Sequence, residues 1–127
     1  FFYIINNCIQ MIIYNDRKWP HINLLLNGII NEFMYKTAKN TLNDIIKKCE
    51  NENEKCILTV DMTNIDDYEN YYLYCILSYI SDINDSLIKN ISMLNLIANE
   101  SLKAILDNIL YIYPPSVKYR IEYINGE

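Results

Sequence analysis

The chain is poor in residues that break or bend a backbone. It holds 2 glycines and 3 prolines in 127 residues. A many-stranded sandwich or barrel needs more turn residues than that. Two glycines also leave no phosphate-cradling loop, neither G-x-G-x-x-G nor a P-loop. Histidine is nearly absent: His21 stands alone, and no motif around it supplies a partner for base catalysis or metal ligation. Just after Pro20, it reads as a surface or capping residue. Positive charge is scarce and scattered. The 11 Lys and Arg face 16 Asp and Glu, for a net charge of −5. The densest basic runs are the pairs Arg17-Lys18 and Lys47-Lys48. Nucleic acid is therefore not an expected partner. Long apolar runs are missing too. The longest, Tyr71 to Leu77, falls far short of the about 20 residues of a membrane helix, so no membrane span is expected.

Cysteine is present without the spacing that metal sites use. None of Cys8, Cys49, Cys56 and Cys75 forms a C-x-x-C pair. Four reduced thiols behaving as small hydrophobes are the expected state, with two disulfides the alternative for a secreted chain. The glycosylation triplets at Asn84, Asn90 and Asn99 are weak support for that alternative, because asparagine is so abundant. The last residues, Tyr123 to Glu127, are polar and carry no tail anchor.

What the chain has in quantity is isoleucine, asparagine and tyrosine: 23, 18 and 12 residues. Hydrophobic residues make up 51% and charged ones 21%, a globular composition. The length is that of one domain, 1–127. Spacings of three and four predict helices throughout. Phe1 to Tyr14 carries Phe1, Ile5, Cys8 and Ile12 on one face. Trp19-Pro20 marks the entry to a second helix, Ile22 to Ala38, with Ile22, Leu25, Leu26, Ile29, Ile30, Phe33 and Met34 inward. Thr41 to Cys49 gives a third. Cys56 to Val60 is short and β-branched, a strand or a buried extended link. Asn64-Ile65-Asp66-Asp67 starts a helix to about Ile80 that is apolar all round, hence central and buried. Leu87 to Ala98 and Glu100 to Tyr111 complete the series. The tail from Val117 alternates like a strand and also fits a helix, which is preferred because few partner strands exist.

Acids at Asp66-Asp67 are explained by a helix start, and Glu50, Glu52 and Glu54 by a solvated loop. No catalytic, cofactor-binding or metal-binding residue is assigned, and no cofactor is expected. The tyrosines are the unusual feature, with five from Tyr68 to Tyr79. Tyrosine buries a large ring and keeps a polar tip, which suits interfaces. A protein-binding groove between the second helix and the central one would use Leu26, Ile30, Phe33, Tyr68, Tyr71 and Tyr72. The same six residues also fit an ordinary core.

Helix order and spacing resemble the poxvirus Bcl-2-like family. Phe2-Tyr3-Ile4-Ile5 through Ile13-Tyr14-Asn15-Asp16 resembles its first helix and the turn after it. Thr63-Asn64-Ile65-Asp66-Asp67 and the apolar helix after it resemble the entry to its buried central helix. Leu87 to Tyr113 resembles its last core helices in length. The family carries an Asn-Trp-Gly-Arg-like motif whose Arg pairs with a BH3 ligand; here Asn64 to Tyr68 is acidic and lacks Arg. The resemblance implies an all-α bundle of about 6–7 helices around a buried central helix. It implies a non-enzymatic viral protein of the host cytoplasm that modulates innate immune signalling or apoptosis. Its partners would be host signalling or BH3-containing proteins, or a second copy in a homodimer. A second resemblance covers Tyr113-Pro114-Pro115 through Ile124, which looks like the F-box-like end of poxvirus ankyrin-repeat proteins. The alternative function is accordingly an F-box-like adaptor, or another helical interaction module, including a secreted one.

Overall fold

The computed structural model describes residues 2–5 and 8–125, with side chains from Gln10 onward. The elements run β1 (Phe2–Ile5), β2 (Cys8–Lys18), β3 (His21–Ile30), α1 (Glu32–Glu52), β4 (Cys56–Tyr68) and α2 (Asn70–Asp82). They continue with α3 (Asn84–Asn90), β5 (Ile91–Asn99), a 3-10 turn (Glu100–Leu102), α4 (Lys103–Ile112) and β6 (Tyr119–Ile124). The strands form one sheet in chain order. β1, β2 and β3 pair antiparallel, and β3 to β6 pair parallel. Each parallel step needs a crossover, which α1, the α2–α3 pair and α4 supply.

Crossovers of one hand between successive neighbours put every helix on the same sheet face. The core confirms it. Ile12, Leu24, Leu58 and Leu94 from four strands meet Leu42, Leu77, Leu87 and Leu106 from the four helices around a single apolar void of about 70 Å³. β3 shows the alternation: Ile22, Leu24, Leu26 and Ile30 are buried under the helices, and His21 and Asn23 on the opposite face are exposed. Among the described residues, nothing of this chain covers that opposite face.

Local chemistry explains the junctions. Asn31 caps α1, its side chain accepting from Met34 N at 3.1 Å. α1 stops at Asn53, which takes a left-handed φ of 53° and gives its N–H to Cys49 O and Glu50 O. The β3–β4 ladder slips at Gly28, where φ is 113°. The Ile29 N–H beside this slip is taken up by buried Gln10, whose Oε1 accepts it at 2.6 Å. At the base of the sheet, Lys48 of α1 pairs with Asp16 at 2.7 Å and lies 5.0 Å from the Trp19 ring. The Trp19 Nε1–H donates to Glu54 at 2.9 Å. At the edge, the Tyr123 hydroxyl of β6 donates to Asp107 of α4 at 2.6 Å.

The all-α expectation is overturned: the fold is α/β. Residues 8–14, expected as a helix, belong to β2; the side chains of Phe1 to Ile9 lie outside the described residues. The expected second helix splits into β3 and the start of α1, and α1 runs on through the expected third helix. The expected central helix is half strand, since β4 reaches Tyr68 before α2 begins. Leu87 to Ala98 divides between α3 and β5, and the tail is a strand. Cys56 to Val60, compatible in sequence with a strand or a link, lies in β4 at the middle of the sheet. Trp19-Pro20 turns β2 into β3 rather than opening a helix.

The physical reason is the second face of the sheet. Leu25, Ile29, Ile57, Met93 and Ile97 sit on the side away from the helices and are half-buried there. With apolar residues on both parities, the period-2 alternation is blurred. A spacing of three and four then emerges from a subset such as Ile22, Leu25, Leu26 and Ile29.

Candidate functional site

α2 carries two unlike stripes. Leu73 and Leu77 are buried, with Ile76 and Ile80 packed beside them on the core. Opposite run Tyr71, Cys75, Ser78 and Asp82, spaced four, three and four, which places them along one outward line. Tyr71 is 70% exposed. A surface helix of this kind usually turns mostly charged residues outward; this line holds a phenol, a thiol, a hydroxyl and the single carboxylate of Asp82.

Neighbouring elements build walls beside this line. Tyr79 leans onto α1, its hydroxyl donating to Asn43 Oδ1 at 2.8 Å. Tyr74 leans onto α4, its hydroxyl accepting from Asn108 Nδ2 at 2.8 Å. The Lys39 ammonium lies 5.1 Å from the Tyr35 ring and 5.2 Å from the Tyr79 ring, bridging both on the α1 side. Tyr35 also meets Tyr72 at 6.1 Å between centroids, and Tyr72 meets Tyr71 edge-on at 5.0 Å. Tyr113, just past α4, closes the far side. The result is an open groove of about 260 Å³ along α2, lined by five tyrosines together with Cys75, Ser78 and Asp82.

Two neighbouring phenols are displaced upward. A hydrogen bond with the Cys75 thiol raises the Tyr71 hydroxyl above its ordinary value. Burial raises Tyr72, and Glu32 and Glu69 add to it. The groove presents ring faces, with the Lys39 ammonium against its α1 wall and Asp82 in its lining.

The residues expected to form a groove are only partly brought together. Leu26 and Ile30 are strand residues beneath the helices and line the interior void. Tyr68 ends β4, paired with Ile30. Phe33 sits half-buried in the first turn of α1. Tyr72 lies behind the groove and Tyr71 at its mouth. Sequence reasoning did not single out Tyr35, Tyr74, Cys75, Ser78, Tyr79, Asp82 and Tyr113 for it. The signal for three of them is the four-three-four spacing from Tyr71 to Asp82, opposite Leu73 and Leu77. Tyr35 and Tyr113 come from other elements, and no local pattern marks them.

Other groups with displaced titration sit at joints between elements. Hydrogen bonds from Lys48 and Tyr14 hold the Asp16 carboxyl below the usual range. Tyr123 and Lys103 do the same for Asp107. Burial pushes the Cys56 thiol up to about 12 and raises Cys49, and the two thiols are hydrogen-bonded to each other. Among the described residues, no three His, Cys, Asp or Glu side chains group to hold a metal ion. No helix of the described residues is long and apolar enough to cross a membrane.

The uncovered sheet face carries a second pattern. Asn15, Asn23, Thr59, Asn95 and Arg120 stand side by side on five neighbouring strands. Arg120 Nε donates to Asn95 Oδ1 at 2.7 Å, and Asn95 Nδ2 reaches Thr59 Oγ1 at 3.4 Å. These bonds tie the row together across β4, β5 and β6.

Among solved structures, the chain is similar to an uncharacterised protein of the DUF3478 family from Shewanella loihica PV-4, which has a SpoIIAA-like fold. The TM-score is 0.54 at 10% identity, over 88% of this chain and 84% of that one. The likeness is one of fold. It overturns the resemblance to the poxvirus Bcl-2-like family, whose helical bundle has no place for a sheet running beneath α2. No protein-family profile matches the chain. No curated protein matches it either.

Proposed function

We propose that this chain is a non-catalytic binding module that docks an extended peptide segment of another protein in the tyrosine groove along α2. The observation that carries the reading is the outward stripe of α2. A ring as large as Tyr71 is 70% exposed beside four further groove tyrosines. Clustered aromatic rings with polar tips are the chemistry of binding hot spots. The expectation of a viral modulator of host signalling or apoptosis in the host cytoplasm drew on the helical-bundle resemblance alone. It has no support in this fold. What is carried forward from it is protein binding without catalysis.

The test is selection from a random peptide library against the folded chain. Selected peptides should shift the amide resonances of α2 and lose affinity at least tenfold to the Tyr71→Ser variant. Peptides that bind elsewhere, with Tyr71→Ser indistinguishable from the parent chain, would overturn the proposal.

A further inference from the structure

We propose that the chain forms a two-fold symmetric dimer through the open edge of β6, which pairs antiparallel with the same strand of a second copy. β6 shares no residue with the groove along α2, so this goes beyond the binding-module reading and does not depend on it.

β6 is the last strand of the sheet, and among the described residues no strand pairs with its outer side. The Leu94 N–H donates to Lys118 O at 2.9 Å, and Tyr119 stands opposite Leu94 in the parallel ladder. Backbone groups alternate from side to side along a strand. Arg120 and Glu122 therefore turn theirs to β5, and Tyr119, Ile121 and Tyr123 turn theirs to the open edge. Such an edge is a template for another strand. The side chains divide in the same alternation. Tyr119, Ile121 and Tyr123 pack against the core, while Arg120 and Glu122 are exposed on the uncovered face.

The strand is complementary to itself run backwards. Tyr119-Arg120-Ile121-Glu122-Tyr123 reads aromatic, charged, apolar, charged, aromatic, and its two charges are opposite in sign. An antiparallel pair centred on Ile121 sets it opposite the partner's Ile121, and Tyr119 opposite the partner's Tyr123. These are the residues with outward backbone groups, so each exchanges both hydrogen bonds across the new edge. The same register sets Arg120 opposite the partner's Glu122, and symmetry repeats the pair. Those are the positions without ladder bonds, where facing side chains come closest. The Arg120 Nε–H is given to Asn95 at 2.7 Å, which holds the side chain in its row and leaves its terminal amino groups for the carboxylate. Among the described residues, Glu122 makes no ion pair.

Charge also selects the register. Sliding to the next hydrogen-bonded register sets Arg120 against the partner's Arg120, or Glu122 against the partner's Glu122. Charge of one sign on an edge repels a second copy; opposite signs spaced in this way attract it in one alignment. The pairing uses up the β6 edge of both copies, so it closes at a dimer.

The test is sedimentation equilibrium of the full chain over a wide range of concentration. An interface one strand wide is small, so the dimer should dissociate reversibly on dilution. Arg120→Glu and Glu122→Arg each set like charges face to face and should each weaken the dimer at least tenfold. The chain carrying both reversals regains opposite pairs and should dimerise like the parent. An equimolar mixture of the two single variants should form the mixed dimer. Tyr71→Ser, in the groove, should leave the dimer intact. A parent chain that stays monomeric at every concentration overturns the inference. So does a dimer that neither reversal weakens, one that the double reversal fails to recover, or one that Tyr71→Ser dissociates.

Discussion

Three consecutive leucines in β3 offer a direct test of the one-sided sheet. Leu24 and Leu26 are 4% and 5% exposed under the helices, and Leu25 between them lies on the uncovered face. Truncating a buried leucine to alanine costs about 2–5 kcal/mol, set by how far the site collapses around the gap. Leu24 and Leu26 both line the existing void of about 70 Å³, so a larger hole there has little to close on. Their alanine variants should each lose roughly 3–4 kcal/mol, around the middle of that range. Leu25→Ala removes a side chain with no helix above it and should lose below about 1 kcal/mol. Urea unfolding separates these outcomes. With a slope of about 1.5 kcal/mol per molar, the two outer variants should drop the midpoint by about 2 M, and Leu25→Ala by less than about 0.7 M. The slope itself should stay unchanged. A helix over the same residues buries Leu25 and Leu26 together and leaves Leu24 outside. A Leu25→Ala loss as large as that of Leu26→Ala, with Leu24→Ala mild, would refute the sheet assignment.

The same void should accept a methyl group: Val60→Ile adds one carbon to its lining and should raise stability by up to about 0.8 kcal/mol in urea unfolding. Acid and alkali should each weaken the fold through named groups. Asp16 and Asp107 have carboxyls lowered in the folded state, so their contribution is present above about pH 4 and fades as pH falls through the folded values. Tyr14 is raised to about 12, chiefly by burial and then by Asp16. Its contribution is present below about pH 10 and fades as pH rises to about 12, so Tyr14→Phe should flatten the alkaline arm of stability against pH. Alkylation of the native protein followed by peptide mapping should label Cys75 and spare Cys49 and Cys56, which are buried with raised thiols, until denaturant is added.

Parts of the fold are legible in the amino-acid pattern. The segment from Thr41 to Cys49 is helical as its spacing predicts, and Glu50 to Lys55 contains the turn after it. The strict alternation from Val117 to Tyr123 is a strand signal, and the preference for helix there rests on counting too few partner strands. That count fails at its root. Three of the missing partners, β2, β3 and β5, themselves read as helices because their apolar residues belong to two different faces. The groove is legible to the extent that the tyrosine cluster stands out as unusual. The residue pairs that build it, Tyr35 with Tyr72 and Tyr79 with Lys39, are separated by 37 and 40 positions, and no local spacing can report them.

By itself, the sequence determined the globular character, the acidic charge and the want of long apolar helices, because these depend on composition and run length alone. Caps were not settled this way: the helix start expected at Asn64 lies inside β4, while Asn31 and Asn53, which bond backbone groups a few residues away, begin and end α1. Only the tertiary structure decided between helix and strand for the isoleucine-rich segments. Their apolar residues satisfy either period, and the ladder hydrogen bonds that settle the matter come from strands distant in the chain. It also decided which tyrosines are walls of a groove and which are core, because that depends on what packs behind each ring.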